Sequence, residues 1–366
     1  SSRDTTYRPP NWDGYQFGRW QPWWWFGEPT ASDCFDCWPG GEVTYEEFSG
    51  RTDAQGSHHL EIGFDADVDL PRTVVPEATV FDVNRQGWAS RTELLVHPAR
   101  YYVGLQTARN FVEQGTPIAV RAVVTDVDGN AVAGRDVEIT AGRVEWLQRN
   151  GTWAEELVDA ETCTITSAGD EPVECEFATD VGGTYRITAI VEDEDGRRNR
   201  TEITQWVTGG RSRPVRDVER ERVTIVPDRE TYAPGDTAEL LVQAPFSPAH
   251  GVMTIVRGGI VSYAAFEAED GSAVLEIPIE DAHVPNLSVV VEMVGSAPRS
   301  ADDGTPLPDA PARPAYATGE IALRIPPITR ALDVTASPAA SAIEPGESTT
   351  VSIQVDGPDG EPVEGA

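Results

Sequence analysis

The sequence predicts an all-β protein built from tandem immunoglobulin-like β-sandwich domains, and three observations carry that expectation. Short runs of β-branched and apolar residues alternate along the chain, turn residues separate them at regular intervals, and one turn–strand–turn unit recurs. Val120-Arg121-Ala122-Val123-Val124 is one such run, and Leu287 to Val294 is another. In Tyr185 to Val191 the alternation places Tyr185, Ile187 and Ala189 on one face. Asp128-Gly129-Asn130, Asp195-Gly196, Asp270-Gly271 and Asp359-Gly360 punctuate the runs as hairpin turns. No stretch shows a helical apolar period.

The repeat is explicit. Gln114-Gly115-Thr116-Pro117, Pro234-Gly235-Asp236-Thr237 and Pro345-Gly346-Glu347-Ser348 each precede an apolar run. In the first and third copies that run leads to Asp128-Gly129 and Asp359-Gly360 at the same spacing, followed by Val132-Ala133-Gly134 and Val363-Glu364-Gly365. A turn, a core strand, a tight hairpin and the next strand form a supersecondary unit repeated in an array. Composition divides the 366 residues into units at 1–95, with a Trp-rich insertion, 96–209, and 210–328, which opens on the charged linker 211–222. A further unit starts at 329–366 and is incomplete, so the chain is expected to be a piece of a longer polypeptide.

The 61 acidic and 28 basic residues give a formal charge of −33. That field repels nucleic acid and anionic lipid and keeps the surface solvated. Acidic residues occur in every segment, as a solvated face requires. No apolar stretch reaches the roughly 18–20 residues of a membrane-spanning helix. Every basic residue is an arginine and there is no lysine, a bias attributable to a GC-rich genome or a salt-adapted host.

Four cysteines are present. Cys163 and Cys175 flank the turn-rich Thr-Ser-Ala-Gly-Asp-Glu-Pro stretch, where two hairpin strands would bring them together as a disulfide. Closing so short a loop stabilises by about 3 kcal/mol in the chain-entropy treatment and implies an oxidising compartment. Cys34 and Cys37 form a Cys-x-x-Cys in the Trp-rich stretch and are read as a second, small disulfide loop. Half a zinc site, a redox pair and free thiols are the alternatives. Zinc would need His58 and His59, which as neighbours on a strand point to opposite faces, and a redox pair is normally followed by a helix.

Val226 to Ala238, with Tyr232-Ala233-Pro234-Gly235-Asp236-Thr237, followed by Val242-Gln243-Ala244-Pro245-Phe246 and Thr254 to Gly259, resembles a macroglobulin-like domain of the bacterial alpha-2-macroglobulin family. Leu94 to Ala99 with Tyr101-Tyr102-Val103-Gly104-Leu105 resembles the junction into the preceding domain, and Thr52 to Gly56 a turn in the one before. Ile343 to Gly346 and Gly360 to Ala366 resemble the start of the next. The resemblance implies macroglobulin-like β-sandwiches in an exported protein, periplasmic or at the cell surface. It also implies a parent acting as an endopeptidase inhibitor whose partners are proteases: a protease cuts a bait segment, the molecule rearranges, and in many members a buried thioester acylates the attacker. None of the four cysteines supplies the Cys-x-x-Gln-type thioester site, and the bait is expected beyond Ala366. In that setting the lack of lysine would spare the scaffold from its own ester.

No cofactor, metal or catalytic set is expected. Asp126-Val127-Asp128-Gly129-Asn130 resembles the opening of a calcium loop, but hairpin-turn chemistry accounts for it and for Asp193-Glu194-Asp195-Gly196. His97 and His283 have no evident nucleophile or ligand set, and no Gly-x-Ser-x-Gly elbow occurs. Trp20, Trp23, Trp24, Trp25, Phe26 and Trp38 either cover a sheet as a small core or form an exposed docking patch for a partner or a glycan. The expected function is a non-catalytic scaffold segment of a protease inhibitor, contacting other domains of its own chain. The alternative is a surface adhesin or stalk of immunoglobulin-like repeats, which near-identical units and uniform linkers would favour.

Overall fold

Where the sequence alternates, the chain forms strands, and the inward set of each strand is the apolar one. In the computed structural model the described residues are 1–25, 43–64, 68–82, 84–149, 152–210, 221–268, 270–299, 307 and 309–364. Among them the only helical elements are three-residue 3-10 turns at Trp23–Trp25, Asp281–His283 and Ile328–Arg330. The amino-terminal region holds five short strands, Ser2–Asp4 (β1), Arg72–Val74 (β2), Glu77–Phe81 (β3), Gly87–Arg91 (β4) and Leu94–Val96 (β5). They make a three-stranded sheet β1-β2-β5 and a solvent-exposed hairpin β3-β4.

The first sandwich is formed by Tyr101–Gln106 (β6), Phe111–Val112 (β7), Ile118–Asp126 (β8), Ala133–Arg149 (β9), Thr152–Ala168 (β10), Val173–Phe177 (β11), Gly183–Glu192 (β12) and Arg198–Val207 (β13). Its sheets run β10-β9-β12-β13-β7 and β11-β8-β6. Between them lies a core that includes Val103, Leu105, Ile118, Val120, Val137, Ile139 and Val207. On β12, Tyr185, Ile187, Ala189 and Val191 are buried in strict alternation. Each fully buried aliphatic side chain of this kind contributes about 1.5–3 kcal/mol.

The second sandwich repeats the plan with Thr224–Pro227 (β14), Thr237–Gln243 (β15), Ala249–Val256 (β16), Ile260–Ala268 (β17), Ser272–Pro278 (β18), Asn286–Ala297 (β19) and Arg313–Arg324 (β20). Its sheets run β17-β16-β19-β20 and β14-β15-β18. Strand for strand this is the order of the first sandwich without β7. Leu240, Val242, Ile277, Leu287, Val289, Val291, Met293 and Leu323 fill its core. A last antiparallel hairpin, Asp333–Pro338 (β21) with Val351–Asp356 (β22), follows.

The Asp-containing turns share one device. Asp53, Asp82, Asp126 and Asp193 each accept backbone N–H groups from the residues two and four positions on. The loop residue before the last donor adopts a left-handed conformation in all four, at Gly56, Arg85, Gly129 and Gly196. Glycine takes that conformation without the Cβ clash, which is why Asp-x-x-Gly recurs; Arg85 is the exception. The Asp126 and Asp193 carboxylates that open the two calcium-like sequences are therefore engaged by their own turns.

Cys163 and Cys175 form a disulfide with Cα atoms 6.3 Å apart. The expectation that they face each other across a hairpin is corrected by the topology. Strand β10 pairs with β9 and β11 pairs with β8, so the two cysteines sit on edge strands of opposite sheets. The turn at 169–172, with Gly169 at φ 75°, carries the chain over the edge of the sandwich instead of back along the same sheet. The bond thus staples one flank of the first sandwich. Cys34 and Cys37 lie outside the described residues.

Candidate functional site

The side chains with the least ordinary surroundings lie on residues 7–25, which run along the first sandwich and onto the second. This strap has almost no regular strand. It is held by isolated bridges, Gln16 to Leu105 and Arg19 to Glu202, on two different strands. Gly18 N–H donates to Thr201 Oγ1 (2.9 Å), and Thr201 Oγ1 in turn donates to the Val103 carbonyl (2.6 Å). Phe17, 2 % exposed, packs its ring against Gly104. A Cβ at position 104 would come within 2.6 Å of its ring, so the glycine in that strand is the seat of the strap.

At its start the strap covers the Asp126 turn. The Tyr7 hydroxyl donates to the Val127 carbonyl (2.5 Å) and the Trp12 indole N–H to the Gly129 carbonyl (2.9 Å). Tyr7 also packs edge-on to His97, whose Nδ1 is 2.8 Å from the Tyr102 hydroxyl. Burial pushes the His97 imidazole below its ordinary value and the Tyr102 phenol above its own. His97 sits at the exposed margin of an aromatic cluster with Tyr7 and Tyr102. His283 is buried, and its Nδ1 accepts the Glu280 backbone N–H (3.0 Å). His58 and His59 are exposed, and no group of three metal-ligating side chains converges among the described residues.

At its end the strap delivers tryptophans to the junction of the sandwiches. Trp20 packs on the first core; Trp23 and Trp24 pack on the second. Trp20 and Trp24 both stack against Trp206, with ring centroids 6.3 and 5.8 Å away, and against each other at 5.9 Å. Trp206 is 3 % exposed and shares a cluster with Phe111 of the first sandwich and Val226 and Leu241 of the second. The Arg324 guanidinium lies 4.6 Å above the Trp23 ring. Of the aromatic residues singled out from the sequence, Trp20, Trp23 and Trp24 therefore meet in an internal joint. Nothing is described for the Trp25 side chain, and Phe26 and Trp38 lie outside the described residues.

Polar contacts rim the joint. Asn110 donates its backbone N–H to the Asp228 carbonyl and its amide to the Pro227 carbonyl, both at 3.0 Å. Arg109 pairs with Glu239 (2.7 Å), and Gly209 N–H donates to Ser272 Oγ (2.8 Å). Asp228 is buried, and one of its oxygens accepts the Tyr232 hydroxyl (2.8 Å) and the Glu239 N–H (3.0 Å). Sequence reasoning missed Trp206 and this rim. The available signals were a lone tryptophan in a largely polar strand and Arg109-Asn110 shortly before the repeat.

A second polar node braces the first sandwich near its entry. The Asp193 side chain is fully enclosed. Burial alone would raise its pKa, but N–H groups of Arg100, Arg197 and Asp195 and the Arg197 guanidinium overcome that and hold it at about 2. Its folded pKa lies below the unfolded value, so the stabilisation is complete above pH ~4 and is lost as pH falls from there towards 2. Asp193→Ala, which strands several buried donors, should cost about 2–3 kcal/mol at neutral pH. In urea titrations the wild type should lose stability between pH 4 and 2 and the variant should lose less over the same window; equal losses would remove Asp193 from the account.

Residues 223–361 match the alpha-2-macroglobulin bait region domain family. That match falls within this chain, whereas the bait segment was expected beyond Ala366. An alpha-2-macroglobulin homolog of Nostoc is 20% identical across 99% of this chain, which spans 19% of that protein. The native conformation of Escherichia coli alpha-2-macroglobulin aligns with 98% of this chain at 18% identity, over 22% of its own length, with a TM-score of 0.37. The trypsin-activated E. coli alpha-2-macroglobulin aligns with 97% of this chain at 17% identity, over 23% of its own length, with a TM-score of 0.35. The chain is thus similar in sequence to an alpha-2-macroglobulin homolog along nearly its whole length, and its residues 223–361 match the bait region domain of that family.

Proposed function

We propose that this chain is a non-catalytic scaffold segment of an alpha-2-macroglobulin-like protease inhibitor, exported to the periplasm or the cell surface. Its parent traps proteases after bait cleavage, and the units read at 1–95, 96–209, 210–328 and from 329 onwards are macroglobulin-like domains of that scaffold. The observation that supports this reading is the joint: two sandwiches of the same strand order are clamped by buried aromatics and a polar rim, an arrangement suited to a frame of packed bodies. The disulfide across the first sandwich suits an oxidising compartment. The same joint argues against the stalk alternative, in which units follow one another without a shared aromatic core.

The isolated chain should neither hydrolyse peptide or ester substrates nor inhibit a serine protease. The full-length parent should leave a captured protease active on small chromogenic substrates and inactive on casein. Loss of both activities in the parent, or full access of casein to the bound protease, would remove the trap reading.

A further inference from the structure

The two sandwiches share a strand order, and one difference between them marks a site. On the first, edge strands β10 and β11 close a flank through the Cys163–Cys175 bond. On the second, the corresponding flank lies between β17 and β18, and no covalent staple spans it. No described strand pairs with the outer edge of β17. Residues 260–265 are exposed on both faces, with Ile260 72%, Val261 51% and Tyr263 77% accessible. Phe266 lies over Gly251, and with Ala273 and Leu275 it leaves a half-buried apolar floor along the flank. An apolar edge of this length without proline or lysine is what natural sheets avoid unless something pairs with it.

The surroundings select the kind of partner. An open edge offers alternating N–H and C=O groups, so it reads an extended polypeptide backbone. Where the flank reaches the first sandwich it ends in a cleft containing Glu113, Glu267 and Asp270, with no basic side chain among its described lining residues. Glu292 stands on the adjoining outer face beside Val252 and Val294. A second copy of this chain, at −33, would be repelled from such a surface. We infer that the β17–β18 flank is a strand-acceptor groove for an extended polypeptide carrying alternating apolar and basic residues. The incoming strand adds to the edge of β17, sets its apolar side chains on Phe266 and Leu275, and points a basic residue into the acidic cleft.

The test is fluorescence anisotropy of the full chain with a labelled nine-residue peptide of alternating valine and arginine. Micromolar binding is expected. The same peptide with glutamate for arginine should bind at least tenfold more weakly. Ile260→Lys with Tyr263→Lys changes only exposed positions and should weaken the arginine peptide at least tenfold with an unchanged melting temperature; Glu267→Gln with Asp270→Asn should weaken it several-fold. Equal affinity for both peptides, or binding indifferent to both double variants, would overturn the inference. So would a dimer in sedimentation that the Ile260→Lys, Tyr263→Lys variant abolishes, because the edge would then pair with itself.

Discussion

Trp206→Ala should destabilise the chain by about 3–5 kcal/mol, the usual cost of removing a large buried aromatic without collapse of the site. Trp206 is almost fully enclosed and touches both sandwiches, so its loss opens a cavity between them rather than within one. The effect should therefore have a second signature. In the wild type the joint couples the sandwiches, and calorimetry should show their unfolding as one transition. In the variant the second sandwich, whose Val226 and Leu241 lose their cover, should separate as a distinct lower transition. Trp24→Ala should act in the same direction and more weakly, because Trp24 is only half-buried. A loss below 1 kcal/mol for Trp206→Ala, with a single transition retained, would show that the aromatic contacts do not hold the sandwiches together.

Replacing Cys163 and Cys175 together by alanine should cost about 3 kcal/mol, chiefly by restoring freedom to the unfolded chain. Their separation of 12 residues sets that estimate. The loss should be confined to the first sandwich, because the bond joins its two sheets and touches nothing in the second. Urea unfolding in the presence and absence of a reductant checks this directly. The wild type should fall to the midpoint of the double variant when reduced, and the variant should not respond. A reductant-insensitive wild type would mean that the two thiols are unpaired in solution.

Much of this architecture was legible in the amino-acid sequence for simple reasons. Period-two alternation is a local property, so strands such as β8, β12 and β19 appear where Val120–Val124, Tyr185–Val191 and Leu287–Val294 mark them. Asp-Gly turns carry their own chemistry, and the Asp126 and Asp193 loops form where those residues place them. What stayed illegible depends on distant partners. The cysteines of the disulfide stand out, but local sequence does not say whether a turn returns along the same sheet or crosses to the other. The strap has no period to detect, because residues 7–20 are held by scattered contacts to residues 105, 127, 129, 201 and 202. Its seat at Gly104 and its target at Trp206 become visible only when those strands are adjacent. The tryptophan cluster was conspicuous; that three of its members face an internal joint could not be read without knowing that Trp206, Val226 and Leu241 converge there.

If the aromatic joint fixes the frame, the two sandwiches move as one body. Spin labels introduced as non-cysteine residues at Glu138, exposed on β9, and Glu320, exposed on β20, leave the disulfide untouched and report the distance between the sandwiches. Double electron–electron resonance should give a single narrow distance distribution in the wild-type chain, broadening when Trp206→Ala and Trp24→Ala are combined. A broad distribution in the wild type, unchanged by those substitutions, would contradict the claim that the aromatic joint fixes the frame.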